Sequence, residues 1–201
     1  TNQRQPGGNP VRRLLLAVST GLLAILLLAP PAGAEEVQGN DPPGDVPVAR
    51  GDLTFFRAIH GPARVDLTVR TLMGGNPENV WPNRATRIRW RLDTSFAAPG
   101  PEYYADIVIA TGVDTVMLGK VRRVSDNHLV CSAQNHVPGD NTVAQAGNVY
   151  RFRFLRGCIG APVSFRARAT FIWDGGRPNV GPVFTDFAPN GGPTAPIGTP
   201  V

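Results

Sequence analysis

Cysteine, histidine and serine are scarce in this chain, and their scarcity removes most familiar chemistries. There are two cysteines and three histidines. Cys131 and Cys158 lie in no Cys-x-x-Cys and no Cys/His cluster, which argues against a zinc site or a catalytic thiol. His60, His128 and His136 lack metal-ligand spacing, and neither Met73 nor Met117 is placed as a second axial partner for haem. After residue 34 the serines are Ser95, Ser125, Ser132 and Ser164, none in Gly-x-Ser-x-Gly. The chain is therefore expected not to be an enzyme, with no catalytic residue assigned. A small hydrolase is the most distant alternative, because its two carboxylates would be assembled only in space. Lysine is nearly missing: of 20 basic residues only Lys120 is one. With abundant Ala, Gly and Pro, that bias reads as GC-rich bacterial coding. No persuasive helical period appears after residue 34.

What is present begins with a secretory signal. Arg12 and Arg13 precede an apolar run from Leu14 to Ala29. Pro30-Pro31 breaks it, and Ala32-Gly33-Ala34 forms a small-x-small cleavage site. The run falls short of the ~20 residues a membrane span needs. Residues 1–34 are thus expected to be a signal peptide, which implies a secreted or cell-wall-associated protein with no membrane span after cleavage. Removing Arg4, Arg12 and Arg13 leaves 17 basic residues against 15 acidic, a net charge of +2. That composition does not suggest a nucleic-acid partner. In an exported protein the pair Cys131 and Cys158 is most simply one disulfide.

Residues 35–51 are polar and rich in Pro and Gly, and are expected as a linker and first turn. From 52 to 190 short alternating runs follow one another. Val65, Leu67 and Val69 alternate with Asp66, Thr68 and Arg70; Ile88, Trp90 and Leu92 with Arg87, Arg89 and Arg91; Tyr150, Phe152 and Phe154 with Arg151 and Arg153. The longest run puts Val163, Phe165, Ala167, Ala169, Phe171 and Trp173 on one face. This period of two predicts about eight antiparallel strands in a two-sheet, all-β sandwich, jelly-roll or Ig-like. Residues 191–201 are expected as a disordered tail.

Three stretches carry candidate chemistry. In "DPPGD" (41–45), Asp41 and Asp45 bracket a Pro/Gly turn, and Asp52 follows. They supply part of the six to eight oxygens that calcium takes. The alternative is that Asp, Pro and Gly only make the turn. Arg87, Arg89 and Arg91, with Arg151/Arg153 and Arg166/Arg168, would form one positive face if their strands were neighbours. That face would hold an anionic wall polymer or phosphate-bearing glycan. The alternative is a solvated surface paired with Asp66, Glu102 and Asp106. Trp81, in an Asn/Pro loop, is the candidate exposed platform for a sugar, or else a lid over one end of the sandwich; Trp90 and Trp173 read as core.

"DPPGD", the hairpin "DLTFFRAIHGPARVDLTVR", "RLDTSFAAPGPEYYADIVI" and "DFAPNGG" stand in an order that resembles exported actinobacterial-type proteins. They are similar to the DOMON-like β-sandwiches, which include the family-nine carbohydrate-binding modules. The resemblance spans most of residues 41–192. It implies a non-enzymatic jelly-roll-like module that binds sugars, haem or other ligands. It also implies that calcium, the one candidate cofactor and not a required one, is held by Asp41 and Asp45 with Asp186 as a neighbour. Ser95-Phe96-Ala97-Ala98 replaces acidic residues often found after Leu-Asp-Thr in related chains, so that loop is not assigned to a metal. The expected function is an exported, non-catalytic binding or surface-interaction module for a carbohydrate or anionic wall polymer. A structural cell-envelope protein without a small ligand is the alternative.

Overall fold

The computed structural model describes residues 34–77, 81, 86–95, 97–98, 100–110, 116–173, 184–189, 193–194 and 197–198. The expected signal peptide lies outside them apart from Ala34. The strands are β1 (Glu35–Asn40), β2 (Leu53–His60), β3 (Arg64–Thr71), β4 (Arg87–Asp93), β5 (Tyr103–Ala110), β6 (Val116–Arg123), β7 (Leu129–Gln134), β8 (Thr142–Ala146), β9 (Val149–Leu155), β10 (Ser164–Trp173), β11 (Phe184–Ala188) and β12 (Ile197–Gly198). A 3-10 turn, Arg156–Ile159, links β9 to β10.

Two antiparallel sheets result, as the alternation requires. The smaller runs β1-β2-β3-β9-β8 and the larger β11-β10-β4-β5-β6-β7. β12 pairs with the start of β10, beyond the part of β10 that β11 occupies. Each central strand buries one side. Phe165, Ala167, Ala169 and Phe171 of β10 are fully enclosed between the sheets, as are Ile88, Trp90 and Leu92 of β4 and Phe152 and Phe154 of β9. Burying each large apolar chain contributes about 1.5–3 kcal/mol. Sheet separation has its own residue, Gly119 on β6. A Cβ there would lie 2.6 Å from the fully buried Phe152 ring, so only glycine lets β6 approach β9.

Cys131 and Cys158 form a disulfide. It joins β7, the edge of the larger sheet, to the 3-10 turn that follows β9 of the smaller one. The closed loop spans 27 residues and constrains the unfolded chain by about 3.5 kcal/mol in the chain-entropy treatment.

The sandwich has four strands beyond the eight or so expected, β1, β8, β11 and β12. β1 and β12 carry one large apolar residue each, Val37 and Ile197, and β8 and β11 are only five residues long, so backbone pairing rather than a sustained hydrophobic pattern makes them strands. Within the expected linker and first turn, 35–51, the linker part is corrected: β1 pairs with β2 from Glu35↔His60 to Asn40↔Phe55, while residues 41–51 are mostly turn and bend. Of the expected tail, 191–201, only residues 193–194 and 197–198 are among the described ones, and there the expectation of disorder is corrected. Ile197 is buried, and Thr194 exchanges two hydrogen bonds with Ala167, its N–H donating at 3.0 Å and its Oγ1 accepting at 3.1 Å. Among the described residues no helix is long and apolar enough to cross a membrane.

Candidate functional site

Two features stand out, a carboxylate cluster at one corner of the sandwich and a basic outer face on the larger sheet.

The cluster is built where β1 gives way to β2. Pro42-Pro43 leads into Gly44, whose φ of 86° is a left-handed value that favours glycine. The turn's Gly44 N–H donates to Asp52 Oδ2 at 2.5 Å, while the Asp41 N–H donates to Thr54 O at 3.1 Å. This arrangement folds Asp41 and Asp45 back over the start of β2. Asp186 arrives from β11, on the other sheet, and its Oδ2 accepts from the Leu53 N–H while Oδ1 accepts from the Phe187 N–H at 2.7 Å. Asp41, Asp45 and Asp186 thereby each place a carboxylate oxygen within 4.8 Å of the others. Residues 141 positions or more apart in sequence are joined only because the two sheets close here.

The electrostatics match that crowding. Burial, and then Asp45 and Asp52, push Asp186 up to about 6 against the pull of its two backbone donors. Asp52 is also raised, first by burial and then by Asp45, with the Gly44 N–H acting the other way. Asp52 is fully buried, and its Oδ1 has no hydrogen-bond partner among the described residues. An all-oxygen donor set of this kind suits a hard cation rather than zinc or copper. The turn reading and the metal reading of "DPPGD" are therefore compatible: the turn brings the carboxylates together.

The outer face of the larger sheet is read from its register. One row across β10, β4, β5 and β6 is Thr170, Arg89, Asp106, Lys120; the next is Arg168, Arg91, Tyr104, Arg122. Arg87 lies beside Val108, and Arg166 beside Asp93. Arg89 grips Asp106 through two bonds of 2.7 and 2.8 Å and lies 4.1 Å from the centre of the Tyr104 ring. Arg166 faces Asp93 at 3.7 Å. The other cations, Arg87, Arg91, Arg168, Lys120 and Arg122, have no carboxylate in ion-pair reach among the described residues. Arg168 stacks on Phe187 at 4.2 Å. Burial and then the neighbouring Arg91 lower its pKa, while Asp41 partly offsets them.

The Arg ladders do not merge into a single face. β4 and β10 are neighbours, but β9 belongs to the other sheet, where Arg151 and Arg153 both meet Asp66. On that sheet Arg57 pairs with Glu36 and Arg64 with Asp140. Glu102 serves neither face, accepting instead from the Thr94 and Ser95 N–H groups. The sequence alone does not place Lys120 and Arg122 on this face, because β6 shows no Arg ladder of its own. The inward alternation of Met117, Gly119 and Val121 was the available signal.

Trp81 is not an exposed platform. It is 7% exposed and packs against Tyr150 and Phe171, with ring centres 5.8 and 5.5 Å away. Trp81 belongs instead to the hydrophobic core cluster. Trp90 is fully buried, and Trp173 stacks on Phe171.

The architecture defines a disulfide-linked, antiparallel two-sheet sandwich with one acidic corner and one basic face. No family profile matches the chain, and no curated protein or solved structure matches it.

Proposed function

We propose that this chain is a non-catalytic, extracytoplasmic binding module of the DOMON-like kind, which presents the outer face of its larger sheet to an anionic wall polymer or acidic carbohydrate. The observation that carries the reading is the contrast between the two faces. Among the described residues, cations of the smaller sheet are largely matched by Glu36, Asp66 and Asp140, whereas five on the larger sheet have no carboxylate in ion-pair reach. Arg91 and Arg168 even sit directly opposite one another, an arrangement that costs stability in a bare sheet and is relieved by an anion between them. Arginine forks onto such oxyanions in paired hydrogen bonds. A disulfide between the sheets and the signal-like N-terminal sequence support an oxidising location outside the cytoplasm.

In the same reading, Asp41, Asp45 and Asp186 hold a structural calcium ion, with Asp52 beside them. The ion would neutralise the buried charge and fasten β11 to β2, linking the sheets at the corner opposite in charge to the binding face. It has no part in ligand chemistry.

Sedimentation with insoluble bacterial wall material, before and after its anionic polymers are stripped, tests the proposal. The oxidised protein should pellet with the intact material and stay soluble with the stripped material. Arg91→Glu/Arg168→Glu should abolish pelleting while Arg57→Glu/Arg70→Glu should not. Equal loss in both variants, or equal pelleting with both materials, would overturn it.

A further inference from the structure

Within the basic face, the strongest local feature is a depression of about 340 Å³ over β5. Its floor is made of short side chains, Asp106 and Val108, and its walls of long ones, Arg87 and Arg89 from β4 and Lys120 and Arg122 from β6. With adjacent strands about 4.8 Å apart, the two walls stand roughly 9.6 Å from each other at the backbone. Tyr104 is the next outward residue of β5 and flanks the depression. Arg122 is held by the turn that follows β6, where its Nη1 donates to Asn127 O at 2.9 Å.

From this geometry we infer that the depression is a phosphate-binding site, formed by Arg87, Lys120 and Arg122 around the Arg89–Asp106 pair, that anchors a phosphate-bearing polymer on the basic face. The inference rests on the proposed function and narrows its ligand class. Asp106 is already consumed by Arg89, so it neutralises one of the four cations and repels an incoming anion little. Among the described residues, three positive charges then remain on two opposing walls. A carboxylate has two oxygens in one plane and is satisfied by a single guanidinium fork. A phosphate group directs tetrahedrally arranged oxygens to several sides at once, which suits donors on both walls. Arg91 and Arg168 continue the positive row beyond Tyr104, where a second anionic group of the same polymer would lie.

Calorimetric titration of the full oxidised protein tests this, with tripolyphosphate and an oligogalacturonate of equal charge as probes. Tripolyphosphate should bind with one-to-one stoichiometry and at least tenfold tighter than the oligogalacturonate. Lys120→Ala/Arg122→Ala should weaken it at least tenfold and flatten its salt dependence, with an unchanged unfolding midpoint as the check on folding. Arg64→Ala/Arg70→Ala, on the opposite sheet, should leave it unchanged. Equal affinity for the two probes would refute the phosphate site while leaving an anion-binding face. Loss of affinity in the Arg64/Arg70 variant equal to that in the Lys120/Arg122 variant, or binding of neither probe, would remove the basic-face function as well.

Discussion

Replacing Asp45 by Asn separates a cation site from a plain turn. Asp45 is exposed and contributes one of three converging carboxylate oxygens, so the change removes a charge without opening the core. Without a cation, the cluster works against folding at neutral pH. The Asp186 carboxyl is raised from 3.8 to about 6, which means the native state holds its proton more tightly than the unfolded chain does. That contribution is fully present below about pH 4 and is lost as pH rises through about 6, a change of about 3 kcal/mol. At about 2–4 °C per kcal/mol for a domain of this size, the chelated protein should lose about 6–12 °C of midpoint from this group between pH 4 and 7. His60 runs the other way, because burial lowers its pKa and its protonation at low pH destabilises the fold. Comparing the two proteins at each pH cancels His60. In chelator at pH 7, Asp45→Asn should raise the midpoint, since one charge repelling Asp186 is gone. In calcium at a hundred times its dissociation constant, the unsubstituted protein should gain about 2.7 kcal/mol, and the substituted protein little of it. Thermal melts followed by circular dichroism, at four pH values with chelator or calcium, give both readings. A full calcium shift in the substituted protein would refute the site. So would a substitution that lowers the chelated midpoint, because the carboxylates would then not be repelling one another.

Other consequences follow from the packing. Cys131→Ala/Cys158→Ala should cost about 3.5 kcal/mol of stability, read as a lower denaturant midpoint, and a value near zero would mean the sheets need no covalent tie. Trp81→Ala should cost about 3–5 kcal/mol, the range for emptying a buried aromatic site, without weakening polyanion binding. A loss of binding at unchanged stability would restore Trp81 as a ligand platform. The His60 imidazole, fully buried and edge-on to Phe165 at 5.3 Å, should titrate below 6.5 in an NMR pH series. A midpoint above 6.5 would show that its surroundings stabilise the charged form.

The all-β character, the disulfide partners and the central strands were legible in the sequence because each is a local property. Alternation such as Val65-Asp66-Leu67-Thr68-Val69 needs only a buried side and a wet side, and two cysteines leave one intramolecular pairing. The Pro-Pro-Gly turn between Asp41 and Asp45 was legible for the same reason. Strands with one apolar residue or fewer, such as β1, carry no such pattern, and tertiary pairing alone makes them. Which Arg ladders share a face was decided by strand order: β4 meets β10, whereas β9 meets β3. Lys120 and Arg122 joined that face only through the register of β6 on β5. Trp81 was drawn inward because burying an indole outweighs leaving it on a loop. Asp186 was brought to Asp41 and Asp45 by the closing of two sheets, a contact that no local pattern in a single strand can encode.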